Sequence, residues 1–266
     1  MEQVIQSYKD KGYYLAESVF DESFLVKLKD YLDTLEPKIF MPSSNIPWGY
    51  GNLLDSGPFS MVTKDEFILD FCKELFKDKY VFNHLVVNNK ASWIGSAVEF
   101  HQEIFNVDSY APGYSKEDWK NFMQIYIALD KQTIENGCLL IIPESHKLGV
   151  LPHEDAIGDN LGHKRRVTHE VMHSTYNKYG KMYVTMEPGD VLFFNHRLVH
   201  GSGTNVSEFD RKSVVLQVRN NIKDRNEDTF DKETQYRRNY VIEELNKKIE
   251  SIKGKNMYKD FKNDKV

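Results

Sequence analysis

Short runs of β-branched and aromatic residues, separated by turns, fill the chain from Tyr80 to about Asn220. The turns contain residues that close β-hairpins, such as ENG at 135–137 and EPGD at 187–190. Many short strands at this spacing are typical of an antiparallel β-sandwich or a jelly-roll barrel. The runs are YVFNHLVVN, ASWIGSAVEFHQEIF, FMQIYIALD, CLLIIP, MYVTME, DVLFFNH and RKSVVLQVR. The pattern therefore predicts a mainly β core over residues 79–220.

The preceding residues, 1–78, predict α-helices that pack on the outside of this core. Residues 1–12 predict a short helix, and Asp21 is the predicted N-cap of an amphipathic helix whose apolar residues lie three and four positions apart. A further helix is predicted over 64–78. The segment between these helices, 36–62, is rich in Pro, Gly, Ser and Asn, and we predict a long loop there.

Two long segments are predicted to act as lids over a binding site, at 41–60 and at 149–180. The second contains a basic cluster, His-Lys-Arg-Arg at 163–166, which favours either a solvated loop or a contact with an anionic substrate. Residues 221–266 are highly charged and predict a helix with a narrow apolar stripe, through which a homodimer could form. Because no linker interrupts the chain, we predict that 1–266 form a single domain.

Composition excludes several classes of function. The 266 residues carry a formal net charge of −5, so no global basic field attracts nucleic acid or anionic membrane. The N-terminus lacks a signal pattern, and no apolar run approaches the roughly 18 residues of a membrane span. Cys72 and Cys138 lie in apolar runs without metal-binding or redox spacing, and we expect both to be buried. We therefore expect a cytoplasmic protein whose partner is a small molecule.

A histidine and a carboxylate, His101 and Glu103, lie two positions apart in the predicted strand EFHQEIF. Alternate residues of a strand share one face, so both side chains could bind the same ion. His200, which follows the apolar run DVLFF, is the candidate for a third ligand. Two histidines and one carboxylate form the facial triad of non-haem Fe(II) oxygenases. Zinc more often has an additional sulfur or histidine ligand, so iron is favoured, although a zinc hydrolase on a cupin-like barrel stays an alternative.

Arg211 and His196 are two further candidate residues near His200 in the sequence. Arg211 opens the β-branched run RKSVVLQVR, where a buried guanidinium needs a partner of opposite charge. If no internal carboxylate pairs with it, a ligand carboxylate held by the planar guanidinium is the expected partner. His196 lies four residues before His200, a spacing that suits metal binding on a helix. On a strand it favours a structural role or a role behind the metal ligands.

Several of these segments resemble the phytanoyl-CoA dioxygenase family of Fe(II)/2-oxoglutarate-dependent oxygenases, over roughly residues 8–220. The resemblance lies in YKDKGYYLAESVFDESFLVKLKDYLD, FHQE, IALDKQTIENGCLLIIPESHK and PGDVLFFNHRLVHGSGTNVS, with Arg211 eleven residues after His200. It implies a double-stranded β-helix, which is a cupin-like form of jelly roll with flanking helices, in agreement with the predicted strands. It also implies an enzyme that hydroxylates an unactivated C–H bond and releases succinate and CO2.

The resemblance implies a role for each candidate residue. Fe(II) would be bound by His101, Glu103 and His200. The distal carboxylate of the co-substrate 2-oxoglutarate would be bound by Arg211 with help from Ser202, and O2 would be the second co-substrate. The substrate would be a small metabolite, anionic or attached to a carrier, of the kind processed in natural-product biosynthesis. The family acts on substrates of many classes, so its identity stays open.

Two residues complete the set of predictions. Gln124, in FMQIYIALD, resembles a polar position with which family members contact the co-substrate. Glu103 departs from the family, which usually has aspartate there, because its side chain is one methylene longer. If this departure marks lost chemistry, the protein would be a non-catalytic metal- or ligand-binding jelly roll, which is the alternative function. Ala or Gly in place of this carboxylate would resemble the halogenating members, and this chain has neither there. Hydroxylation is therefore favoured over halogenation.

Overall fold

The structure is a computed structural model, and it describes residues 1–37, 39–40, 47–77, 79–103, 122–156 and 165–220. Residues 1–106 and 114–222 form one compact unit. A second unit, made of 107–113 and 223–266, lies outside the described residues. The predicted C-terminal helix and the dimer contact through it also lie there, so these remain predictions, as does the single domain over 1–266.

Two antiparallel sheets form the described core. The larger sheet has seven strands in the order β1-β11-β6-β13-β4-β3-β2, and the smaller has four in the order β10-β7-β12-β5. Their bounds are β1 Tyr13–Ala16, β2 Ile39–Phe40, β3 Pro47–Tyr50, β4 Tyr80–Lys90, β5 Val98–His101, β6 Phe122–Ala128, β7 Leu139–Ile141, β10 Met182–Val184, β11 Val191–Asn195, β12 His200–Ser202 and β13 Arg211–Asn220. A separate hairpin-like pair consists of β8 His153–Asp155 and β9 Arg165–Val167.

Side chains from both sheets meet in an apolar layer between them. Tyr126 and Phe194 of the large sheet pack here with Leu139 and Ile141 of the small sheet. Because side chains alternate along a strand, every second residue of β6 and β13 also points into this layer. Two facing antiparallel sheets with flanking helices form the predicted jelly roll, and the mainly β fold is confirmed.

Helices cover the outer face of the large sheet. They are α1 Glu2–Lys11, α2 Glu22–Asp33 and α3 Glu66–Phe76, and a fourth helix, α4 His169–Tyr179, lies elsewhere. As predicted, the Asp21 carboxylate caps α2 by accepting a hydrogen bond from the Phe24 amide at 2.9 Å. Gly12 ends α1 with a φ of 85°, a left-handed conformation that costs glycine little. The apolar faces of α1–α3 pack on the large sheet in a core separate from the inter-sheet layer.

Two loop predictions were wrong for the residues that the structure describes. The segment predicted as a loop over 36–62 contains β2, β3 and the beginning of a 3-10 helix, Gly57–Lys64, whose buried Phe59 and Val62 join the helix-side core. The predicted helix over 64–78 consequently begins only at Glu66. The insertion at 149–180 contains β8, β9 and α4, which pack on the outer face of the small sheet. In the first predicted lid, residues 47–50 form a strand of the large sheet and Phe59 packs in the helix-side core. Residues 41–46 and 157–164 lie outside the described residues, and the role of both segments as lids stays a prediction.

Two predictions from composition can be compared with the structure. Cys72 and Cys138 are both buried free thiols, as expected. Burial raises the pKa of the Cys72 thiol to about 12, so it stays protonated at neutral pH. Among the described helices, none is both long and apolar enough to cross a membrane.

Candidate active site

The structure brings the three predicted metal ligands together at one end of the small sheet. His101 is the last residue of β5 and lies opposite His200, the first residue of β12, in the strand register. Glu103 follows β5, and its Oε1 lies 3.5 Å from His101 Nε2 and 3.3 Å from His200 Nε2. One ligand atom from each residue lies within 4.8 Å of the other two. The two imidazoles are buried, and the carboxylate is 13% exposed.

Backbone carbonyls fix the orientation of both imidazole rings. His101 Nδ1 lies 2.7 Å from the Glu99 carbonyl oxygen, and His200 Nδ1 lies 2.9 Å from that of Leu198. Because a carbonyl oxygen only accepts hydrogen bonds, Nδ1 must carry the hydrogen in each ring. The neutral ring then directs the lone pair of Nε2 toward the Glu103 carboxylate. This is the arrangement in which histidine ligands of metals are usually held.

The electrostatics of the cluster favour a cation at its centre. Burial lowers the pKa of His200, and His101 lowers it further, whereas Glu103 acts in the opposite direction. In the tautomers that bind metals, two nitrogen lone pairs and a carboxylate oxygen face one another here, which is unfavourable unless a cation lies between them. Ligand atoms about 2 Å from a common ion are about 3 Å apart, close to the separations observed. The three residues therefore fit a divalent transition metal.

Two buried basic side chains lie on the inward face of the large sheet. Arg211 begins β13 and Lys90 ends β4, and the two residues are direct partners in the strand register. They are 4% and 1% exposed. Among the described residues, no carboxylate forms an ion pair with either of them. An unpaired buried charge costs several kcal/mol, so this pair indicates a site for an anionic ligand.

Lys90 is a candidate functional residue that the sequence did not reveal. Its Nζ donates to the Ser202 hydroxyl at 2.8 Å, to the Ser96 carbonyl at 2.9 Å and to the Gly203 carbonyl. Burial and, to a smaller extent, the positive charge of Arg211 together lower the pKa of Lys90 to about 6. The sequence offered no more than a lysine two residues after the predicted strand YVFNHLVVN.

Arg211 has unused hydrogen-bonding capacity. One guanidinium nitrogen donates to the Gly137 carbonyl, while Nε has no partner among the described residues. Ser213, two residues along the same face, has a fully buried hydroxyl that is also without a described partner. Gly137 adopts a φ of +72°, and a Cβ there would collide with the backbone of Gly203, so only glycine lets these loops approach the arginine closely.

Gln124 also points into the layer between the sheets. It lies on the same face of β6 as Tyr126, is 5% exposed, and its Oε1 has no described hydrogen-bond partner. Its neighbour across the strands, Phe194, has its ring centroid 4.8 Å from that of His200. Gln124 is therefore on the side of the metal cluster, whereas Arg211 lies further along the sheet.

His196 lies beside the metal cluster without joining it. It is fully buried, its ring centroid is 5.3 Å from that of Phe122, and neither ring nitrogen has a partner among the described residues. Burial lowers the pKa of His196 to about 4, so the ring is neutral. Its carbonyl accepts a hydrogen bond from the Glu103 amide at 3.0 Å. This contact agrees with the prediction that His196 supports a metal ligand and does not itself bind the metal.

The basic cluster at 163–166 is only partly within the described residues, because His163 and Lys164 lie outside them. Arg166 forms ion pairs with Glu99 at 2.7 Å and with Glu154 at 3.0 Å. Its charge is therefore engaged inside the protein. Arg166 therefore gives no support to the predicted contact with an anionic substrate.

Much of the chain matches a known protein family and several individual relatives. Residues 8–213 match the family model described as phytanoyl-CoA dioxygenase (PhyH). A probable phytanoyl-CoA dioxygenase of Caenorhabditis elegans is 36% identical over 95 residues, which cover 36% of this chain and 30% of the relative. The chain thus spans about a third of the length of this relative. The dioxygenase lolE1 of Epichloe uncinata is 26% identical over 229 residues, which cover 79% of each protein.

Solved structures show the same fold at low sequence identity. EctD from S. alaskensis, crystallised with 2-oxoglutarate and 5-hydroxyectoine, superposes with a TM-score of 0.66. The two chains are 19% identical over 82% of this chain and 75% of EctD. This likeness establishes the fold, and the assignment of chemistry depends on the residues described above.

Proposed function

Since the chain belongs to the phytanoyl-CoA dioxygenase family, we propose that it is an Fe(II)- and 2-oxoglutarate-dependent oxygenase that hydroxylates an unactivated C–H bond of a small metabolite. One observation carries the proposal: two buried basic side chains, Lys90 and Arg211, face the same inter-sheet layer as the histidine–glutamate cluster and lack a described carboxylate partner. A metal hydrolase or a simple metal-binding barrel has no need of this pair. A dicarboxylate co-substrate requires both the metal and a cation.

In this proposal His101, Glu103 and His200 hold Fe(II) through two Nε2 atoms and one carboxylate oxygen. Three protein ligands leave coordination positions open for the co-substrate and O2. When bound, the iron supplies the oxidative chemistry, in which 2-oxoglutarate is decarboxylated to succinate and one oxygen atom enters the substrate. The contribution of the chain is to orient the ligands and to keep both rings in the tautomer with a bare Nε2.

The co-substrate is held at its distal carboxylate by Arg211 and Lys90. Arg211 offers its unused Nε, and Lys90 gives the carboxylate a second positive charge. The Ser202 hydroxyl, which now accepts from Lys90, can donate its own hydrogen to the same carboxylate. The buried Ser213 hydroxyl offers another donor nearby. Gln124 is proposed to contact the oxo-acid end, because it lies on the side of the metal cluster.

The surroundings of the cluster suit a reaction from which water must be excluded. The inter-sheet layer beside His200 is apolar and buried, and it includes Phe194, Leu198 and Tyr126. Electrostatic interactions with the co-substrate are stronger in such a layer than in water. The Glu103 carboxylate occupies the ligand position that a halide would otherwise take, so hydroxylation is the proposed outcome.

The proposal is tested by adding Fe(II) and 2-oxoglutarate to the protein without oxygen. A weak visible charge-transfer band is expected, because the oxo acid would chelate an iron held by the protein. Admission of O2 should then yield succinate. The same mixture with succinate in place of 2-oxoglutarate is the control, and it should give no band. Absence of the band and of succinate would favour the non-catalytic metal- or ligand-binding jelly roll.

Affinity for 2-oxoglutarate is expected to fall as pH rises above about 6. The pKa of Lys90 is lowered to about 6 in the free protein by burial and by Arg211, so the amine is largely neutral at pH 7. A bound carboxylate favours the ammonium form, hence binding takes up a proton. The apparent Kd should increase by up to about tenfold per pH unit between pH 6.5 and 8.5. Calorimetry with Mn(II)-loaded protein measures this, and Lys90→Met should abolish the slope.

A further inference from the structure

Two of the three proposed metal ligands lie where the sheet gives the backbone little support. β5 is at the edge of the small sheet, and its register with β12 ends at the pair His101 and His200. Glu103 lies beyond the end of the strand. Its amide donates to the His196 carbonyl, but the residue between the two ligands, Gln102, has no partner in the ladder. Interactions other than sheet pairing must therefore hold this His-x-Glu segment.

The Gln102 side chain supplies several of these interactions. It is 1% exposed. Its Nε2 donates to the Arg197 carbonyl at 2.6 Å and to the Gly149 carbonyl at 2.9 Å, and its Oε1 accepts from the Leu151 amide at 2.9 Å. The bond to Arg197 joins the His-x-Glu segment to the turn that leads into His200. One amide thus connects both parts of the chain that carry metal ligands.

His153 holds the same residue through its backbone. The Gln102 amide donates to His153 Nε2 at 3.2 Å, and His153 Nδ1 lies 2.8 Å from the Leu151 carbonyl. The carbonyl requires a hydrogen on Nδ1, which leaves Nε2 as the acceptor. Burial lowers the pKa of His153 to about 4, so this neutral tautomer persists at physiological pH.

The interactions of Gln102 and His153 belong to a larger contact with the β8–β9 pair. His153 is the first residue of β8, and β9 lies against β5. Arg166 of β9 pairs with Glu99 of β5 and with Glu154 of β8, so it joins the two strands to the metal-binding edge. The β8–β9 pair thus packs against β5, the strand that ends at His101.

We propose that Gln102 and His153 are positioning residues that fix the metal-binding geometry of the His-x-Glu pair. The proposal rests on the function proposed above. It makes the β8–β9 pair, which the sequence indicates only as part of a loop, a component of the metal centre. The need is greatest for Glu103, because a glutamate has one more rotatable bond than an aspartate and its carboxylate is correspondingly harder to hold in place.

Two substitutions at His153 separate positioning from general packing. His153→Phe keeps a planar ring of similar size but removes the acceptor for the Gln102 amide. His153→Gln places an amide oxygen near the position of Nε2 and should restore the bond. Loss of residues that orient metal ligands typically weakens metal binding about 10–100-fold. We expect His153→Phe to bind Mn(II) at least about tenfold more weakly, and His153→Gln to approach the wild type.

The measurements are calorimetric titration with Mn(II) and the anaerobic Fe(II)–2-oxoglutarate absorption band, which should shift or weaken in His153→Phe. His173→Phe, in the exposed part of α4, is the matched control and should leave both unchanged. A His153→Phe protein with wild-type Mn(II) affinity and an unchanged band would overturn the proposal, even if its melting temperature were lower. If His153→Phe does not fold, Gln102→Met gives the same readouts with the same expectations.

The wild-type protein distinguishes this proposal from the proposed function. If the wild type fails to bind Mn(II) and shows no band with Fe(II) and 2-oxoglutarate, the metal centre itself is wrong. If the wild type binds and the His153 and Gln102 variants bind equally well, the metal centre stands and the positioning role is rejected.

Discussion

Replacing His200 by alanine is expected to abolish the conversion of 2-oxoglutarate to succinate, and the same loss is expected for His101→Ala. Each imidazole contributes one of the three ligand atoms that lie within 4.8 Å of one another. Two ligands hold a divalent first-row metal poorly, and no other histidine, cysteine or carboxylate among the described residues joins the cluster. Because loss of residues that merely orient ligands costs about 10–100-fold, loss of a ligand should exceed about 100-fold.

Succinate formation and Mn(II) affinity should be measured on the same preparations, since both should fall together when a ligand is removed. His173→Ala is the matched control, because His173 is exposed on α4 and lies in no proposed site. Circular dichroism shows whether a variant that no longer binds Mn(II) is still folded. Full turnover in either His101→Ala or His200→Ala would remove the triad from the proposal.

The arrangement of strands was predictable because it depends on local patterns. Alternating β-branched residues and hairpin turns mark β6, β11 and β13 in the sequence, and the Asp21 cap marks the beginning of α2. The segments at 36–62 and 149–180 were predicted wrongly because their strands are only two to four residues long, and the two in the second segment are also polar. Such segments form strands only when a neighbouring edge or core is present, and that information is not local.

The candidate site likewise contains residues that the sequence indicated and one, Lys90, that it did not. His101, Glu103, His200 and Arg211 could be predicted because charged or metal-binding residues are unusual in apolar strands. Lys90 was missed because a lysine at a strand end is ordinarily solvated. Its burial arises from the loops at 91–96 and 203, which close over the amine.

Positioning residues were the least accessible to sequence reasoning. Gln102 is separated from Leu151 and from Arg197 by 49 and 95 positions, and neither pairing leaves a local pattern. His153 lies in a segment that composition alone assigns to a loop. The proposed metal ligands are thus recognisable from residue type and spacing, whereas the residues proposed to position them depend on contacts between distant parts of the chain.

Arg211→Met is expected to raise the KM for 2-oxoglutarate by about 30-fold or more, because truncating one partner of a buried, hydrogen-bonded charge pair costs about 2–5 kcal/mol. The effect on kcat should be smaller, since the oxo-acid end would still bind at the metal. Lys212→Met is the matched control. It removes a neighbouring cation from the opposite face of β13, and its KM should match the wild type.

Arg211→Met should also leave the ligand-free protein at least as stable as the wild type. The Arg211 guanidinium is 4% exposed, donates to one carbonyl and has no described carboxylate partner, so its burial costs free energy until a ligand carboxylate arrives. Methionine fills much of the volume without a charge. A site preorganised for the co-substrate therefore predicts opposite signs: weaker binding of 2-oxoglutarate and an unchanged or higher melting temperature. Arg211 would be a structural residue if the variant instead melted several degrees lower with an unaltered KM.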